Sequence, residues 1–484
     1  MEKVNAIFSG LLEKAKKAAI QNINHLPKAG SDRNYYRIFT IDGNSYIGTY
    51  NINIKENLSF IYFSNFFGQK KLNVPTIIAV DDSNQYYIQS DLGDNSLLDK
   101  LKNEGYSNGI KKLYQKALIA LSNIQIKGDE GLNYSHCFSG QAFDRGTIMA
   151  DLLYFKYYFL RTLKIVYDGP QLIKDFDTLA DFLGNVPNKF FLLRDCQARN
   201  IMVQNEEVFF IDYQGGKKGP LPYDVASLLW QAKAELPWEW KSDLTDFYIN
   251  HVKTVHNLKI ESHLFKSQLN GFVLIRLLQV LGAYGFRGLF EKRTHFLESI
   301  PQGLRNLKLW LEKCPLTVEI PELKAIIEQL IQPDFIQKYE TIKALPEKQL
   351  VVEINSFSFK KGLPIDTSNN GGGFVFDCRS ILNPGRFEAY KKLSGRDKPV
   401  IDFLLQNEGM EMFLQNVKDL VGQSVENYLE RDFSNLQVNF GCTGGQHRSV
   451  YCAEALNKYL KDKYGVKTIL AHQNEINWPK KEDL

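Results

Sequence analysis

The sequence predicts a mixed fold, α/β and α+β, in two parts that a proline-marked connector separates. Residues 1–92 alternate short strand-like runs with helix-like runs, and residues 93–314 are mostly helical in pattern. Residues 315–348 hold four prolines among many charges, which is typical of a linker, and a second strand–helix alternation follows them. We therefore expect a domain over 1–314, with lobes at 1–92 and 93–314, a linker over 315–348 and a second domain over 349–484.

Composition is that of a globular protein without a strongly charged partner. Hydrophobic residues make up 44% and charged residues 24% of the 484 positions. The net charge of +4 gives no reason to expect dominant nucleic-acid or membrane electrostatics. Six cysteines without a Cys-x-x-Cys pair favour neither structural zinc nor a disulfide framework. The first residues lack the apolar core of a secretory signal, and Phe272–Phe290 carries two arginines, so we expect a buried helix pair, no membrane span and a cytoplasmic location.

Periodicity predicts the elements in order. For the first lobe it predicts helices over 7–24 and about 56–69 and strands at Tyr35–Ile41, Ser45–Tyr50, Ile77–Val80 and Tyr86–Ser90. In the helical lobe, strand-like Phe190–Leu193 and Val208–Ile211 bracket a polar segment, and Leu323–Gln332 is the best helix candidate in the connector. For the last part we expect strands at Val351–Phe359, Gly373–Phe376 and Leu436–Phe440 and helices at Phe413–Tyr428 and Val450–Lys461.

One polar segment has the spacing of kinase chemistry. It contains Asp195 and Asn200 in the order Asp-x-x-x-x-Asn, and after a strand comes Asp212 between an apolar and an aromatic residue. In kinases one carboxylate orients or deprotonates the attacking hydroxyl, while the Asn and a second carboxylate hold the Mg²⁺ that bridges the ATP phosphates. We therefore predict Asp195 as the catalytic base and Asn200 and Asp212 as Mg²⁺ ligands. Any one of them alone would equally be explained as a turn cap.

Two segments of the first lobe are candidates for nucleotide contact. Gly30, Ser31, Asp32 and Arg33 fit a strand–turn–strand that covers the phosphates of ATP. Gln89–Gly93, which includes Asp91, follows a strand and precedes a helix, as a hinge that contacts adenine through its backbone should. We predict Gly30, Ser31, Asp32, Arg33, Gln89 and Asp91 as the nucleotide-binding positions.

Residues 1–314 resemble the aminoglycoside phosphotransferase/choline kinase family and, within it, the amino-sugar anomeric kinases of cell-wall recycling. The segments that carry this resemblance are Gly30–Arg33, Leu72–Pro75, Ser90–Gly93, Arg194–Asn200 and Gly219–Leu228. The resemblance implies a two-lobed, protein-kinase-like phosphotransferase fold, ATP and Mg²⁺ as cofactors, and a sugar or amino sugar as substrate. It also implies that Asp224 supports the catalytic loop structurally.

Two positions depart from the family pattern. Leu193 stands where a histidine commonly opens the catalytic loop, and we expect changed packing there rather than loss of activity. The strand Ser45–Tyr50 has no lysine where the phosphate-pairing lysine normally lies, which is common among the amino-sugar kinases. Arg33 is the candidate replacement, because a guanidinium binds phosphate bidentately, and a solvated loop arginine is an equal alternative. Without a replacement this region would be a weak kinase or a nucleotide-binding pseudokinase.

The sugar site is less defined by the sequence. A sugar needs paired polar groups over an apolar floor, and Asp144 and Arg287 are candidates for such groups. Buried salt-bridge partners are the alternative interpretation of both residues, and the pattern favours that alternative.

A second constellation lies between a predicted strand and a predicted helix. It comprises Cys442, Thr443, Gly444, Gly445, Gln446, His447, Arg448 and Ser449. Small residues let backbone N–H groups converge, and a helix N-terminus favours an anion. A tight turn would need only one of the glycines, so the remaining polar residues favour a phosphate cradle.

This loop, together with Ser356–Pro364, Phe376–Arg379 and Asn383–Pro384, closely resembles the C-terminal domain of the RNase adapter protein RapZ over about residues 349–475. The resemblance implies that the cradle, with Asp377 and Arg379, binds glucosamine-6-phosphate, and that a small regulatory RNA is a further partner. The sequence contains no Gly-x-x-x-x-Gly-Lys-Ser/Thr loop, so we expect the kinase-like region to stand where RapZ has its nucleotide-binding domain.

Two alternatives stay open for this second part. Cys442 and Arg448 have the Cys-x5-Arg spacing of cysteine-dependent phosphatases, in which a helix N-terminus lowers the pKa of the nucleophilic thiol. That spacing would make the chain a bifunctional kinase–phosphatase, although Gly441 stands where such phosphatases usually place a histidine. The basic tail Asn477–Lys481 fits an RNA-binding adapter, although such tails are usually just solvated.

The sequence as a whole predicts an ATP- and Mg²⁺-dependent small-molecule kinase. Its substrate would be a sugar or amino sugar, phosphorylated at the anomeric hydroxyl if the resemblance extends that far. The second domain would sense an amino-sugar phosphate and couple its level to kinase activity.

Overall fold

The structure, a computed structural model, describes residues 2–26, 33–187, 189–291, 294–340, 350–366, 373–431 and 433–479. The chain divides into two compact units, Met1–Ala283 with Ser299–Ile336, and Tyr284–Glu298 with Gln337–Leu484. The predicted class, α/β and α+β, is confirmed, because the first unit combines an antiparallel sheet with a helical lobe and the second contains a parallel sheet.

The first lobe is an antiparallel sheet with two helices. Its elements are α1 (Glu2–Lys14), β1 (Ile20–His25), β2 (Asn34–Thr40), β3 (Ser45–Tyr50), α2 (Ile54–Gln69), β4 (Ile77–Val80) and β5 (Tyr86–Ser90). The strand order is β1-β2-β3-β5-β4. Helix α1 packs on β4 and β5 and buries Phe8 completely. Gly48 in β3 makes room for that ring, since a Cβ there would lie 2.6 Å from its Cζ atom.

The predicted helix over 7–24 is wrong in its second half. Helix α1 ends at Lys14, and Lys16 takes a left-handed conformation with φ of 54°. Residues Ile20–His25 then form β1, whose Ile20 and Ile23 are half-buried beside β2. The Ala- and Lys-rich residues 14–19 that precede β1 suit a helix, but pairing with β2 decides the conformation of Ile20–His25.

The remaining elements of the first unit, and those that connect it to the second, follow in chain order. They are α3 (Leu97–Glu104), α4 (Asn108–Asp129), α5 (Arg145–Phe155), α6 (Gly169–Gly184), β6 (Lys189–Leu192), β7 (Ile201–Gln204), β8 (Glu207–Phe210), β9 (Lys217–Pro220), α7 (Leu221–Leu229), α8 (Trp238–Val255), α9 (Ser262–Tyr284), α10 (Thr294–Leu297, in the second unit), α11 (Ile300–Lys313), α12 (Pro321–Leu330) and α13 (Pro333–Glu340). Two short antiparallel pairs, β6 with β9 and β7 with β8, carry the polar segment between them. Strand β9, Lys-Lys-Gly-Pro, is too polar for the sequence pattern to reveal, whereas β7, Ile-Met-Val-Gln, is mostly apolar and was not predicted.

The most apolar stretch is helix α9 followed directly by a π-helical turn, Gly285–Phe290, and not the predicted helix pair. In the part of the chain that the structure describes, Ser262–Phe290 alone is long and apolar enough to cross a membrane, with a mean hydropathy of 1.4. Most of its apolar window, 67%, is buried inside the protein.

The predicted connector contains two helices. Helix α12 buries Leu323 and Ile327 and packs against α6, where the Leu323 N–H donates to Asp175 Oδ2 at 2.9 Å. Residues up to Ile336 therefore belong to the first compact unit. Residues 341–349 lie outside the described part of the chain.

The second unit is built on a four-stranded parallel sheet of order β11-β12-β10-β13. Its elements are β10 (Val351–Ser358), β11 (Gly373–Asp377), α14 (Lys398–Leu405), α15 (Glu408–Glu430), β12 (Asn435–Cys442), α16 (Arg448–Tyr464) and β13 (Lys467–His472). Helix α16 packs on β10, β12 and β13. The register sets Ser358 beside Cys442 and Asp377 beside Gly441, so the polar residues that end β10, β11 and β12 meet at one edge.

Candidate functional site

The predicted catalytic loop follows β6, and the Asp224 side chain holds its backbone. The Asp224 carboxylate accepts hydrogen bonds from the Leu193 N–H at 2.8 Å and the Arg194 N–H at 3.1 Å. Asp224 lies in α7, where it has no solvent exposure, and burial raises its pKa to about 7 against the opposing effect of these hydrogen bonds. Leu193, which stands where the resembled family commonly has a histidine, is buried as well.

Asp195, Asn200 and Asp212, predicted as one site, lie together. The Asn200 amide donates to the Asp195 backbone carbonyl at 3.0 Å and to Asp212 Oδ2 at 3.4 Å. The side chains of Asp195 and Asp212 are 45% and 35% exposed, so both carboxylates are open to a ligand. Backbone strain marks the same place, because Arg194 and Asp212 both have positive φ angles, 76° and 62°.

The oxygen donors of this site fit a magnesium ion. In the described residues no three His, Cys, Asp or Glu side chains converge on a metal position. Asp212 and Asn200 offer one carboxylate and one amide group, and Mg²⁺ characteristically takes one or two carboxylates together with waters and substrate phosphates. The residues present therefore fit a metal that arrives with a nucleotide.

Two guanidinium groups flank Asp195. Arg276, which is 4% exposed on α9, places Nη2 3.5 Å from Asp195 Oδ1. Arg194 forms an ion pair with Asp151 at 2.7 Å. Both guanidinium groups lie over the Tyr223 ring. Of the two, Arg276 donates a hydrogen bond to the Asp195 carboxylate, whereas Arg194 donates to Asp151.

Of the predicted nucleotide-binding positions that the structure describes, Arg33 is the one whose side chain reaches the Asp212 site. Its Nη1 donates to Asp212 Oδ1 at 3.1 Å. Asp91 is instead engaged by Arg37, with 2.7 Å between Arg37 Nε and Asp91 Oδ2, and Gln89 is buried in β5. The predicted residues Gly30, Ser31 and Asp32 lie outside the described part of the chain.

The two sugar-site candidates have other partners. Asp144 is the N-cap of α5 and accepts from the Thr147 N–H at 2.8 Å, and among the described residues it forms no ion pair. Arg287 lies in the second unit, 3.5 Å from Glu291.

The predicted phosphate cradle runs from the end of β12 into α16. Thr443 and Gly444 are exposed, whereas Cys442 and Ser449 are buried beneath them. Helix α16 is 17 residues long, and the side chain of its N-cap residue His447 makes no capping hydrogen bond, but the Cys442 thiol accepts from the Ser449 N–H of the first turn.

The Cys442 thiol lies inside this turn and is held by donors. Its Sγ lies 3.1 Å from Ser449 Oγ and accepts from the Gly445 N–H at 3.2 Å. Burial opposes ionisation of the thiol, but these hydrogen bonds and the Arg448 charge outweigh it and lower the pKa of Cys442.

The charged residues of the cradle are anchored outside it. Arg448 Nη1 donates to the carbonyls of Arg379 and Ile381, at 3.0 and 2.7 Å. Arg379 pairs with Asp377 at 2.7 Å, and its hydrogen bonds lower the pKa of that carboxyl. His447 is fixed to the Tyr390 carbonyl at 2.9 Å. The structure thus brings the 377–381 turn to the cradle through Arg448, and none of these side chains closes over the loop.

Steric contacts explain why position 441 is a glycine. A Cβ at this position would lie 2.3 Å from Phe359 and 2.6 Å from Phe357, so no side chain fits where cysteine-dependent phosphatases place a histidine. Gly445 takes a φ of 68°, and a Cβ there would lie 2.6 Å from Asn474 Oδ1.

Comparison with known families places the second unit. Residues 350–475 match the family model of the RapZ C-terminal domain, which confirms the resemblance expected for this region. A nucleotide-binding protein of Bifidobacterium adolescentis is 41% identical over 123 residues, 25% of this chain and 38% of that protein. One of Thermosipho melanesiensis is 34% identical over 170 residues, 34% of this chain and 59% of that protein. The chain thus spans less than two thirds of these curated relatives.

Solved structures similar to the chain are small-molecule phosphotransferases. An amicoumacin kinase complex has a TM-score of 0.47 and 13% identity, covering 64% of this chain and 96% of that one. A choline kinase from Cryptosporidium parvum has a TM-score of 0.46 and 13% identity, covering 69% and 99%. A spectinomycin phosphotransferase has a TM-score of 0.43 and 11% identity, covering 70% and 97%.

Three residues of the first site escape a motif search. Glu56 contacts Arg33, and Gln231 Oε1 accepts from the Ala198 N–H of the catalytic loop at 2.8 Å. Arg276 lies in a helix that looks like core. The only sequence signals are a carboxylate at the start of a predicted helix and an arginine within an apolar run.

Proposed function

We propose that the chain is an ATP- and Mg²⁺-dependent kinase that phosphorylates a hydroxyl group of a sugar or amino sugar. One observation carries the proposal: Asp195, Asn200 and Asp212 converge on one partly open site, with Asn200 hydrogen-bonded to both neighbours. A mere set of turn caps would not need two exposed carboxylates beside two strained loops.

Each residue has a separate task in this proposal. Asp195 accepts a hydrogen bond from the acceptor hydroxyl and takes its proton as the phosphoryl group transfers. Asn200 and Asp212 would hold the magnesium ion, which when bound bridges the phosphates and offsets their charge. Asp224 fixes the backbone that carries Asp195.

The surroundings of Asp195 support an oxygen-rich acceptor. A hydroxyl bound to Asp195 would lie beside Arg276, whose guanidinium donates hydrogen bonds and accepts none. A neighbouring hydroxyl, ring or carboxyl oxygen of the acceptor suits this cation, whereas an ammonium group there would be repelled. A sugar therefore fits the site better than an amino alcohol, and the amino group of an amino sugar would have to lie away from Arg276.

The second unit would bind an amino-sugar phosphate at residues 442–449 and report its level to the kinase. The N-terminus of α16, where the His447 side chain makes no cap, and the exposed turn at Thr443 and Gly444 support anion binding there. Coupling between the two sites rests on their presence in one chain, and a role in cytoplasmic cell-wall recycling rests on the resemblance to amino-sugar kinases. RNA binding stays a prediction. The basic residues of the C-terminal tail after Pro479, on which it rests, lie outside the described residues.

The decisive experiment is a screen for transfer of radiolabelled phosphate from ATP to neutral, acidic and amino sugars, with choline as a comparison acceptor. We expect transfer to a sugar by the wild type and a loss of at least 10³-fold in Asp195→Asn, since that variant keeps the shape of the site but lacks the base. A Gly68→Ala variant, at an exposed helical position with open space around it, is the control and should match the wild type. Transfer to no acceptor would favour the pseudokinase alternative, and an equally active Asp195→Asn would refute the assigned base.

A second candidate activity is phosphate-ester hydrolysis by Cys442. The lowered pKa of its thiol and the contact with Ser449 favour it, whereas the anchoring of Arg448 to backbone carbonyls favours binding without turnover. Release of phosphate from sugar phosphates by the wild type, abolished in Cys442→Ser, would establish the activity. No release by the wild type, or equal release by both, would exclude it.

A further inference from the structure

The first lobe lacks a lysine in β3 but contains a buried cation between α2 and the predicted metal site. Strand β3 reads Ser-Tyr-Ile-Gly-Thr-Tyr. The basic side chain that forms an ion pair with Asp212 among the described residues is Arg33, which immediately precedes β2 and is 7% exposed. Burying a guanidinium is costly unless it is paired, so its partners show what the position is built for.

Three groups hold the Arg33 side chain. Its Nη2 lies 2.7 Å from Glu56 Oε1, and Nη1 donates to the Tyr35 hydroxyl at 2.9 Å and to Asp212 Oδ1 at 3.1 Å. Glu56 is fixed in turn, because its Oε2 accepts from the Asn51 amide at 2.8 Å. The cation is therefore tied to α2 at one end and reaches the catalytic cleft at the other.

One N–H group of the guanidinium, at Nε, is not used by these contacts. Among the described residues, Arg33 Nε is buried without a hydrogen-bond partner. The contact with Asp212 is the longest of the three and the one nearest the open cleft, since Asp212 is 35% exposed while Glu56 is 18% exposed. A ligand anion beside Asp212 would find a cation already oriented towards it.

We propose that Arg33 binds the phosphate groups of the nucleotide in place of the absent lysine, and that Glu56 is the positioning residue that holds it there. In protein kinases a lysine of β3, held by a glutamate on a neighbouring helix, pairs with the phosphates. Here the glutamate lies on α2, but the cation comes from the residue before β2. A guanidinium fits this exchange because it binds phosphate oxygens through two parallel N–H groups.

The inference rests on the proposed function in that the phosphates are those of ATP. The competing explanation is that Arg33 is only a strut between α2 and the Asp212 loop. A strut stabilises the fold and affects every ligand of the cleft alike. A phosphate-binding group acts on ATP and leaves adenosine unaffected, so the ratio of the two affinities separates the explanations.

The experiment is calorimetric titration of the full-length protein with ATP and with adenosine, both in Mg²⁺. Arg33→Gln should raise the Kd for ATP about tenfold or more and change the Kd for adenosine by less than about twofold. Glu56→Gln should raise the Kd for ATP less, because the cation stays but is no longer held. Arg33→Lys should restore part of the affinity. Arg145→Gln, which removes an exposed arginine paired with Asp177 and Asp181, is the matched control and should leave the ratio unchanged.

The outcomes are separable. An unchanged ATP-to-adenosine ratio in Arg33→Gln, or a wild type that binds ATP no more tightly than adenosine, overturns the inference. If Arg33→Gln does not fold, the same ratio in Glu56→Gln decides, and an unchanged value there overturns it. A wild type with phosphate-dependent binding that transfers phosphate to no sugar refutes the proposed function and leaves this inference standing.

Discussion

Asp224 shows how one buried carboxyl can hold a catalytic loop while it titrates near neutrality. Its oxygens accept from two backbone N–H groups and from the Gln125 amide at 3.2 Å, and it is fully buried. Burial dominates, so the pKa is raised to about 7. The family resemblance assigned this residue a supporting role, but its titration follows only from the depth at which α7 lies.

We expect the free energy of unfolding of the first unit to decline as pH rises from about 4 to about 7. The pKa of Asp224 in the folded state, about 7, lies above the ordinary 3.8, so the folded protein retains a proton that the unfolded chain loses. This contribution is complete below the ordinary pKa and is lost as pH rises through 7, with an upper bound of about 4 kcal/mol. Urea unfolding of wild type and Asp224→Asn at several pH values measures it.

The variant should show a smaller slope against pH and a lower stability at pH 5, because an amide nitrogen replaces one of the two acceptor oxygens. Parallel slopes in the two proteins would contradict this account of Asp224.

At the level of elements, alternation found the strands that pair within the sheets of both units, and it failed where composition and pairing disagree. The predicted Ser45–Tyr50, Ile77–Val80 and Tyr86–Ser90 are strands β3, β4 and β5. Ile20–His25 reads as helix from its neighbours but pairs with β2, and Lys467–His472, with a basic flank, is strand β13 at the edge of the parallel sheet. The conformation of an edge strand depends on its pairing with the neighbouring strand. A search for periodicity in a short window of sequence does not include that neighbour.

The turn between β12 and α16 gives a prediction at this scale. Gly445→Ala should lower the free energy of unfolding of the second unit by about 1–3 kcal/mol, because φ is 68° and the new Cβ would meet Asn474. Gly444→Ala is the matched control for stability, since its backbone is not left-handed and nothing lies within 4 Å of a Cβ there. Thermal unfolding of the two variants measures the difference, and equal transition temperatures would refute the steric explanation.

For the whole molecule, the division into two compact units implies two largely separate cores. The second unit buries its own cluster, which includes Val352, Val421, Phe440 and Leu456. The first lobe buries another around Phe8 and Ile88. A chain of this size with separate cores is not expected to unfold in one cooperative step.

We therefore expect differential scanning calorimetry of the full chain to resolve more than one transition. Gly445→Ala should shift the transition of the second unit and leave that of the first within about 1 °C. The contact between Asp224 and the catalytic loop is confined to the first unit, so Asp224→Asn should shift the other transition. A single transition that both variants shift equally would show that the units unfold together.

The sequence by itself determined the groups whose spacing is set by one short stretch of chain. Asp195 and Asn200 share a loop, Asp212 follows one hairpin later, and residues 442–449 form a single turn, so a motif contains them whatever surrounds it. Tertiary structure alone decided the long-range partners. Arg33 is paired with Glu56, 23 residues away, and Asp195 with Arg276, 81 residues away. Arg448 is held by the carbonyls of Arg379 and Ile381. Such contacts depend on how α2, α9 and the 377–381 turn pack, and packing is a property of the whole core that no local pattern encodes.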